Sequence, residues 1–154
     1  APQFSPDGES VLFLRSEGGR FHAYRQPLVG GGARKLVDDV VEACWSSDGS
    51  EIAFLRVGRT KDEGRTSTLR VVDLRTGVER ELFRTEDGLV GIAWSPRGDE
   101  LAALLEPYRG LSADTSALIL IPAQGGEPRR LPGASRRRGC GRGRPRARAL
   151  RAPR

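Results

Sequence analysis

Apolar and polar positions follow a pattern that occurs three times along the chain. Segments Phe4–Leu14, Trp45–Leu55 and Trp94–Leu104 each begin with an aromatic residue, pass through a corner that contains Ser and Gly, and end in an apolar run. In the middle copy the corner is SDG, residues 47–49, where the aspartate side chain can bond its own backbone and the glycine can adopt a positive φ. Each segment is therefore predicted to form a strand, a tight turn and a second strand.

A second pattern follows each copy of the first. Segments 23–36, 69–82 and 118–131 are all fourteen residues long, and each has glycine at its ninth position. Each is predicted to form another hairpin, so one unit contains four strands. In the middle unit these strands are predicted at about 41–46, 51–56, 68–74 and 79–84.

The inner strands of each unit have apolar side chains on both faces of the pleat. In the middle unit they are EIAFL (51–55) and LRVVDL (69–74), and SVLFL (10–14) and ALILI (117–121) have the same character in the other units. A sheet with one solvated face would alternate apolar and polar residues. Strands that are dry on both faces require sheets stacked face to face, as in the four-stranded blades of a β-propeller.

The repeat resembles the WD-like β-propeller repeat of TolB-type proteins. The sequences FSPDGESVLFL and WSSDGSEIAFL, each followed by a hairpin centred on GG or TG, carry the resemblance, which covers about residues 1–133. The aromatic residues that open the three copies are 41 and 49 residues apart, within or near the range of propeller blades. Similar repeats cap prolyl oligopeptidase-family serine peptidases and form sensor domains of bacterial kinases.

The resemblance implies an all-β fold, a partial β-propeller of about three four-stranded antiparallel blades. The implied blades cover about residues 1–38, 39–86 and 87–133. Trp45 and Trp94 are expected at equivalent positions near the inner strands, with Phe4 in the same role. The sequence departs from the repeat where Ser47 replaces the usual proline and Arg97 the usual aspartate, and the first unit lacks most of its opening strand.

Three blades do not complete a ring, because closed propellers usually contain four to eight. We therefore expect the parent protein to be longer. Assembly of several copies is the alternative, which we favour less because open edge strands invite irregular pairing.

The formal net charge of +6 is concentrated at the end of the chain. Residues 134–154 hold nine arginines and no acidic residue, which leaves 17 Lys and Arg against 20 Asp and Glu in residues 1–133. This Arg, Gly and Pro-rich tail is expected to be disordered. Out-of-frame translation of GC-rich DNA gives such a mixture, so we favour a frameshift or truncation artefact over a native disordered linker. Nucleic-acid binding through the tail is favoured least.

The sequence lacks the residue patterns of common catalytic and metal centres. His22 is the single histidine, no G-x-S-x-G motif occurs, and Cys44 and Cys140 have no partner at zinc-ligand spacing. We interpret His22 as a partly exposed residue entering a strand, and Cys44 as a small buried residue of an innermost strand. We expect no catalytic residue, no metal and no cofactor. No apolar run is long enough to insert into a membrane.

The predicted function is a noncatalytic, TolB-like propeller module that binds a protein or peptide. The alternatives are the gating propeller of a prolyl oligopeptidase-family peptidase that lacks its hydrolase domain, and the sensor propeller of a bacterial kinase. Thirteen-residue loops at 56–68 and 105–117, on the face opposite the short turns, are the predicted binding surface. Both a periplasmic and a cytoplasmic location of the protein are compatible with the sequence. The predicted partner contacts are Arg59, Lys61, Arg65, Tyr108, Arg109 and Asp114, with Tyr108 and Arg109 as anchors.

Overall fold

The computed structural model describes residues 1–59, 64–107 and 116–132. Within these ranges the chain forms three four-stranded antiparallel sheets and no helix, which confirms the predicted all-β, propeller-like architecture. Blade 1 contains β1 (Gln3–Phe4), β2 (Ser10–Glu17), β3 (Arg20–Pro27) and β4 (Arg34–Val37). Blade 2 contains β5 (Glu42–Trp45), β6 (Glu51–Arg59), β7 (Arg65–Asp73) and β8 (Glu79–Thr85). Blade 3 contains β9 (Gly88–Trp94), β10 (Glu100–Glu106), β11 (Ala117–Pro122) and β12 (Arg129–Arg130).

Each blade is a meander, in which every strand pairs with the strands before and after it in sequence. The aromatic residue that opens each copy of the sequence pattern has the same register in all three blades. Trp45 pairs with Ile52, Trp94 pairs with Leu101, and Phe4 pairs with Val11. The sequence repeat is therefore a structural repeat, and residues of the three blades can be compared position by position.

The first turn of each blade is held by a serine and an aspartate. In blade 2 the Ser46 hydroxyl donates to Asp48 Oδ1 at 2.7 Å, and the backbone N–H of Glu51 donates to Ser46 Oγ at 2.9 Å. In blade 3, where Arg97 replaces the aspartate, the Ser95 hydroxyl donates instead to Asp99 Oδ1 at 2.6 Å. Asp99 thus supplies a carboxylate to this turn in place of the aspartate that Arg97 replaces.

Blade 2 provides the centre of the hydrophobic core because it is covered on both faces. Along β6 the buried residues alternate in direction: Ile52 and Phe54 pack toward blade 1, whereas Ala53 and Leu55 pack toward blade 3. All four side chains have no solvent exposure. This alternation follows from the period of two in a β-strand and confirms the prediction that these strands are dry on both faces.

The outer blades differ from the prediction, which placed apolar residues of β2 and β11 in equally dry surroundings. In β11, Ile119 and Ile121 are buried while Leu118 and Leu120 are half-buried. In β2, burial alternates in the same way, with Leu12 buried and Phe13 half-buried. The prediction was wrong here for a physical reason, since a described sheet covers only one face of blade 1 and of blade 3.

The β6–β7 hairpin is longer than predicted. The pairing continues to Arg59 opposite Arg65, so most of the expected loop at 56–68 is strand. The prediction missed this extension because the polar composition of the segment is typical of a loop. The β-branched residues Val57 in β6 and Thr66 and Thr68 in β7 nevertheless favour strand pairing.

His22 also differs from its interpretation as a partly exposed residue, since only 9% of it is exposed. It lies within β3, and its Nδ1 is 2.8 Å from Asp38 Oδ1 and 3.3 Å from the backbone nitrogen of Asp39. His22 thus contacts the connection between blades 1 and 2.

The predicted disordered tail at 134–154 lies outside the described residues. The described part of the chain contains no helix able to cross a membrane.

Substituting Gly49 tests the turn geometry. Gly49 has φ +74°, and an alanine there is expected to lower the free energy of unfolding by about 1–2 kcal/mol, because a left-handed conformation crowds Cβ against the backbone. Gly32→Ala is the control, since Gly32 has no positive φ and a Cβ there would meet nothing within 4 Å. Urea unfolding of both variants measures the difference, and equal stabilities would contradict this account of the turn.

Removing the Phe54 ring tests the core between blades 1 and 2. The ring is fully buried, so Phe54→Ala is expected to cost about 3–5 kcal/mol of unfolding free energy. The matched variant Phe21→Ala removes a ring that is 52% exposed, and should cost less than half as much. Similar losses in the two variants, measured by chemical denaturation, would show that the blade interface is not the main source of stability.

Candidate binding surface

Two of the six predicted contact residues lie in the described part of the chain. Arg59 and Arg65 are exposed and directly opposite each other at the end of the β6–β7 hairpin, on paired strand positions rather than in a loop. The remaining four, Lys61, Tyr108, Arg109 and Asp114, lie outside the described residues. The structure thus brings Arg59 and Arg65 together, and the binding role of all six stays a prediction.

A cavity of about 300 Å³ lies on the opposite side, among the short turns. Each blade contributes the end of its first strand and the turn that follows. The cavity is lined by Gln3, Phe4 and Pro6 of blade 1, by Cys44, Trp45, Ser46 and Ser47 of blade 2, and by Ile92, Ala93, Trp94, Ser95 and Pro96 of blade 3. This cavity was not predicted, because the sequence places the predicted binding surface on the face opposite the short turns.

Three aromatic side chains at one register position dominate the cavity wall. Trp45 packs in the core between blades 1 and 2, and Trp94 packs against the core between blades 2 and 3. This equivalence confirms the prediction for the two tryptophans. Phe4 has the same register but is 68% exposed, because no described sheet covers its face of blade 1.

The indole nitrogens of Trp45 and Trp94 are buried and have no hydrogen-bond partner within the described ranges. A buried N–H without an acceptor costs about 1–3 kcal/mol, and most such groups in folded proteins are paired. Both nitrogens belong to residues that line the cavity. The cavity therefore presents apolar ring surface, while the two unpaired nitrogens are not themselves exposed to it.

Contacts between neighbouring turns form the rim of the cavity. A Cβ at Gly49 would lie 3.4 Å from Pro6 Cδ, and a Cβ at Gly98 would lie 2.8 Å from Ser47 Oγ. The turn of each blade therefore packs closely on the glycine of the next. Glycine is required at these positions by its positive φ, and at Gly98 also by the close approach of the neighbouring turn.

The Glu42 carboxylate connects two of the strands that line the cavity. Glu42 in β5 accepts hydrogen bonds from the backbone N–H groups of Gly91 and Ile92 in β9, both at 2.9 Å. These donors lie on the edge of blade 3, where strand pairing leaves backbone groups free. The contact fixes the spacing between Trp45 and Trp94 without a strand pair between the blades.

The carboxylates near the cavity form hydrogen bonds within the turns. Hydrogen bonds from the Ser50 backbone and from the Ser46 hydroxyl hold the pKa of Asp48 below its usual value, and the Ser95 hydroxyl does the same for Asp99. These carboxylates are ionised at neutral pH and bonded within their own blades. The described residues contain no cluster of His, Cys, Asp and Glu that could hold a metal ion. The cavity is thus equipped for apolar contact and hydrogen bonding.

The comparisons with known proteins find no matching family model and no matching curated protein. Solved structures do match. TolB from Agrobacterium tumefaciens has a TM-score of 0.64 at 22% identity, with 82% of this chain and 43% of that one covered. The β-propeller domain of the Trilobed protease from Pyrococcus furiosus has a TM-score of 0.63 at 18% identity, with 85% and 41% covered. Acylaminoacyl peptidase from Pyrococcus horikoshii has a TM-score of 0.64 at 19% identity, with 84% and 24% covered.

These matches show that the chain has the fold of a partial, TolB-like β-propeller. The chain spans less than half the length of each of the three structures. The matched proteins include a peptidase and the propeller domain of a protease. Because the sequence identities are below 25%, the similarity shows the fold alone.

Thiol labelling tests the packing of Cys44, which lines the cavity and belongs to the core between blades 2 and 3. Burial, with a smaller contribution from the charge of Glu42, raises the pKa of the Cys44 thiol to about 12. In a Cys140→Ser background, we expect a thiol reagent at pH 8 to label Cys44 only after denaturant is added, because the thiolate is the reactive form. Rapid labelling of the folded protein would place Cys44 at an accessible surface instead.

Proposed function

We propose that this chain is a noncatalytic β-propeller module that binds a protein or peptide, and that the binding site is the cavity among the short turns. The observation that carries the proposal is the cavity to which all three blades contribute, with the rings of Phe4, Trp45 and Trp94 at one register position in its lining. A peptide offers side chains that can pack against the exposed ring of Phe4.

The preformed rim supports the same proposal. Adjacent turns pack on Gly49 and Gly98, and Glu42 fixes β9 against β5, so the lining aromatics are held by rigid elements. A preorganised site loses less conformational entropy on binding than a mobile loop does. The carboxylates Asp48 and Asp99 of these turns are bonded within the blades, which favours a partner recognised through its apolar groups.

The hairpin and loop face is the second candidate location for the same function. It rests on the six residues named from the sequence, and Arg59 and Arg65 at the hairpin end add two exposed positive charges there. This face would suit an acidic partner, whereas the cavity would suit an uncharged peptide segment. The two locations therefore predict different ligands and different sensitive residues.

Peptides selected from a phage-displayed random library against the whole chain provide the test. Both tryptophans of the chain line the cavity, so binding there should change the intrinsic fluorescence. Phe4→Ala removes the exposed ring from the cavity lining and should weaken binding of a selected peptide about tenfold, as expected for loss of an apolar contact worth about 1.4 kcal/mol. Calorimetry measures the affinities, and circular dichroism checks the fold.

The matched controls are residues that the sequence predicts as partner contacts. Arg59→Ala and Arg65→Ala should leave the affinity unchanged, and so should the paired substitution Tyr108→Ala and Arg109→Ala. If the arginine or tyrosine variants lose binding while Phe4→Ala keeps it, the site is on the hairpin and loop face. If no selected peptide binds the folded chain at either face, the proposed binding function is wrong.

A further inference from the structure

Two arginines lie opposite each other on strands β3 and β4, on the side of blade 1 that packs against blade 2. Arg25 and Arg34 are paired residues of these strands, so their side chains leave the sheet on the same face. Arg25 is half-buried and its Nε donates to the Ser10 hydroxyl at 2.8 Å, whereas Arg34 is exposed. Like charges at directly opposed positions destabilise a sheet. This pair therefore has an electrostatic cost that a bound anion would remove.

The other two blades show which residues accompany the second arginine of this pair. The register gives Ser10, Arg25 and Arg34 counterparts in both blades. The counterparts are a glutamate, an aliphatic residue and an arginine, namely Glu51, Val71 and Arg80 in blade 2 and Glu100, Leu120 and Arg129 in blade 3. Blade 1 thus keeps the arginine, has serine in place of the glutamate, and has a second arginine in place of the aliphatic residue.

In blades 2 and 3 the glutamate carboxylate binds the arginine with both oxygens. Arg80 Nη2 lies 2.8 and 2.9 Å from the two carboxylate oxygens of Glu51. Arg129 Nη2 lies 3.2 and 3.1 Å from those of Glu100. Within the described ranges Arg34 forms no such pair. The repeat therefore indicates a carboxylate as the group that is missing beside Arg34.

A cavity of about 140 Å³ lies where these residues of blade 1 meet blade 2. Arg25, Arg34 and Lys35 line it from blade 1, and Asp73 and Leu74 line it from blade 2. We call this space the arginine cavity.

The arginine cavity occupies a place that is filled at the next interface. There, the Arg80 guanidinium bridges Glu51 and the backbone carbonyl of Ala123 in blade 3. Leu74 is the blade 2 counterpart of Ala123, since the backbone N–H of each bonds the carbonyl of the residue before the glutamate in its own blade. The arginine cavity thus lies where blades 2 and 3 hold an arginine and its carboxylate.

The other charged groups around the arginine cavity are engaged elsewhere. Lys35 Nζ contacts two carboxylates, at 3.4 and 3.0 Å. Asp73 Oδ1 accepts two backbone N–H groups of its own turn, at 2.7 and 2.9 Å. The pKa of Asp7, which does not line the cavity, is lowered first by the Ser5 hydroxyl and less by the charge of Arg25. In the lining, two guanidinium groups without an ion pair therefore lie near one carboxylate.

We propose that the arginine cavity binds the carboxylate group of a ligand, in the place that Glu51 and Glu100 fill in the other blades. The ligand carboxylate accepts charge-assisted hydrogen bonds from Arg25 and Arg34, and guanidinium groups commonly form such bonds in pairs. This binding also removes the repulsion between the two arginines. The proposal does not rest on the peptide site described above, since the two cavities share no lining residue.

The size of the arginine cavity limits the group that enters it. One water occupies about 30 Å³ of liquid, so 140 Å³ accommodates about four or five non-hydrogen atoms. This is the size of a propionate ion or of the end of an acidic side chain. A free small carboxylic acid and a glutamate or aspartate of a peptide therefore offer the same chemistry.

Titration of the whole chain with sodium propionate at fixed ionic strength tests the proposal. Propionate has the shape of a glutamate side chain. The Nε–H NMR signals of Arg25 and Arg34 should shift and saturate, while the signal of Arg80 should not move because Glu51 already binds it. Propionamide, which lacks the charge, should shift none of them. The absence of a saturable shift at both arginines of the cavity would overturn the proposal.

Variants at the repeat positions identify the site. Arg34→Ala should weaken propionate binding about fivefold or more through loss of a charge-assisted hydrogen bond. Arg129→Ala is the matched control, since it removes the equivalent arginine of blade 3, where Glu100 already supplies the carboxylate. Equal affinities of these two variants would place the site elsewhere.

Restoring the missing carboxylate provides a second test. Ser10→Glu should abolish propionate binding, because its own carboxylate then reaches Arg34. It should also melt at a higher temperature than Ser10→Gln, which adds similar bulk without the charge. Propionate binding that survives in a folded Ser10→Glu variant would contradict the proposal. Ser10 is only 1% exposed, so Arg34→Ala at an exposed position keeps the proposal testable if the Ser10 variants do not fold.

A short peptide separates the two sources of the carboxylate. The blocked peptide acetyl-Gly-Glu-Gly-amide is compared with its glutamine analogue in the same NMR titration. Binding of the glutamate peptide alone assigns the arginine cavity to an acidic side chain of a polypeptide. Binding of propionate without either peptide assigns it to a free carboxylic acid. Equal binding of the glutamate and glutamine peptides would show that the carboxylate is not what the cavity recognises.

Discussion

Apolar contact between successive sheets is the interaction on which the rest of the structure depends. A single four-stranded sheet of this size has no core of its own, and it becomes stable when each face is covered. Blade 2 meets this condition through the alternation of Ile52 and Phe54 with Ala53 and Leu55. The half-buried faces of blades 1 and 3 follow from the same constraint, since each has one covered side among the described sheets.

Polar contacts between blades 2 and 3 fix the distance between them, which apolar packing alone does not determine. Glu42 binds two N–H groups of β9, and Arg80 binds the Ala123 carbonyl of blade 3, so the inner and outer parts of this interface each have a directional contact. The turns that pack on Gly49 and Gly98 add a third constraint. The cavity results from this spacing, because it lies where the three first strands end.

The blades could be predicted from the sequence because their signals are local. The corners that contain Ser and Gly and the regular second hairpins place turns at fixed distances, and the period of two in EIAFL assigns both faces of β6. The exposure of Leu118 and Leu120 could not be predicted in this way, since it depends on which sheets are neighbours rather than on the strand itself. The cavity was missed for the same reason. Its signal was present in the aromatic residue that opens every copy, but its wall is assembled from residues in three blades.

Native-state hydrogen exchange tests most directly whether blade packing determines the stability of this chain. At a protein concentration where sedimentation shows monomers, the amides of β6 and β7 should exchange slowest, through global unfolding, because blade 2 is covered on both faces. Amides of β2 and β11 should exchange faster, by partial opening of blades 1 and 3. Uniform protection across the three blades, or the slowest exchange in blade 1 or blade 3, would contradict the account.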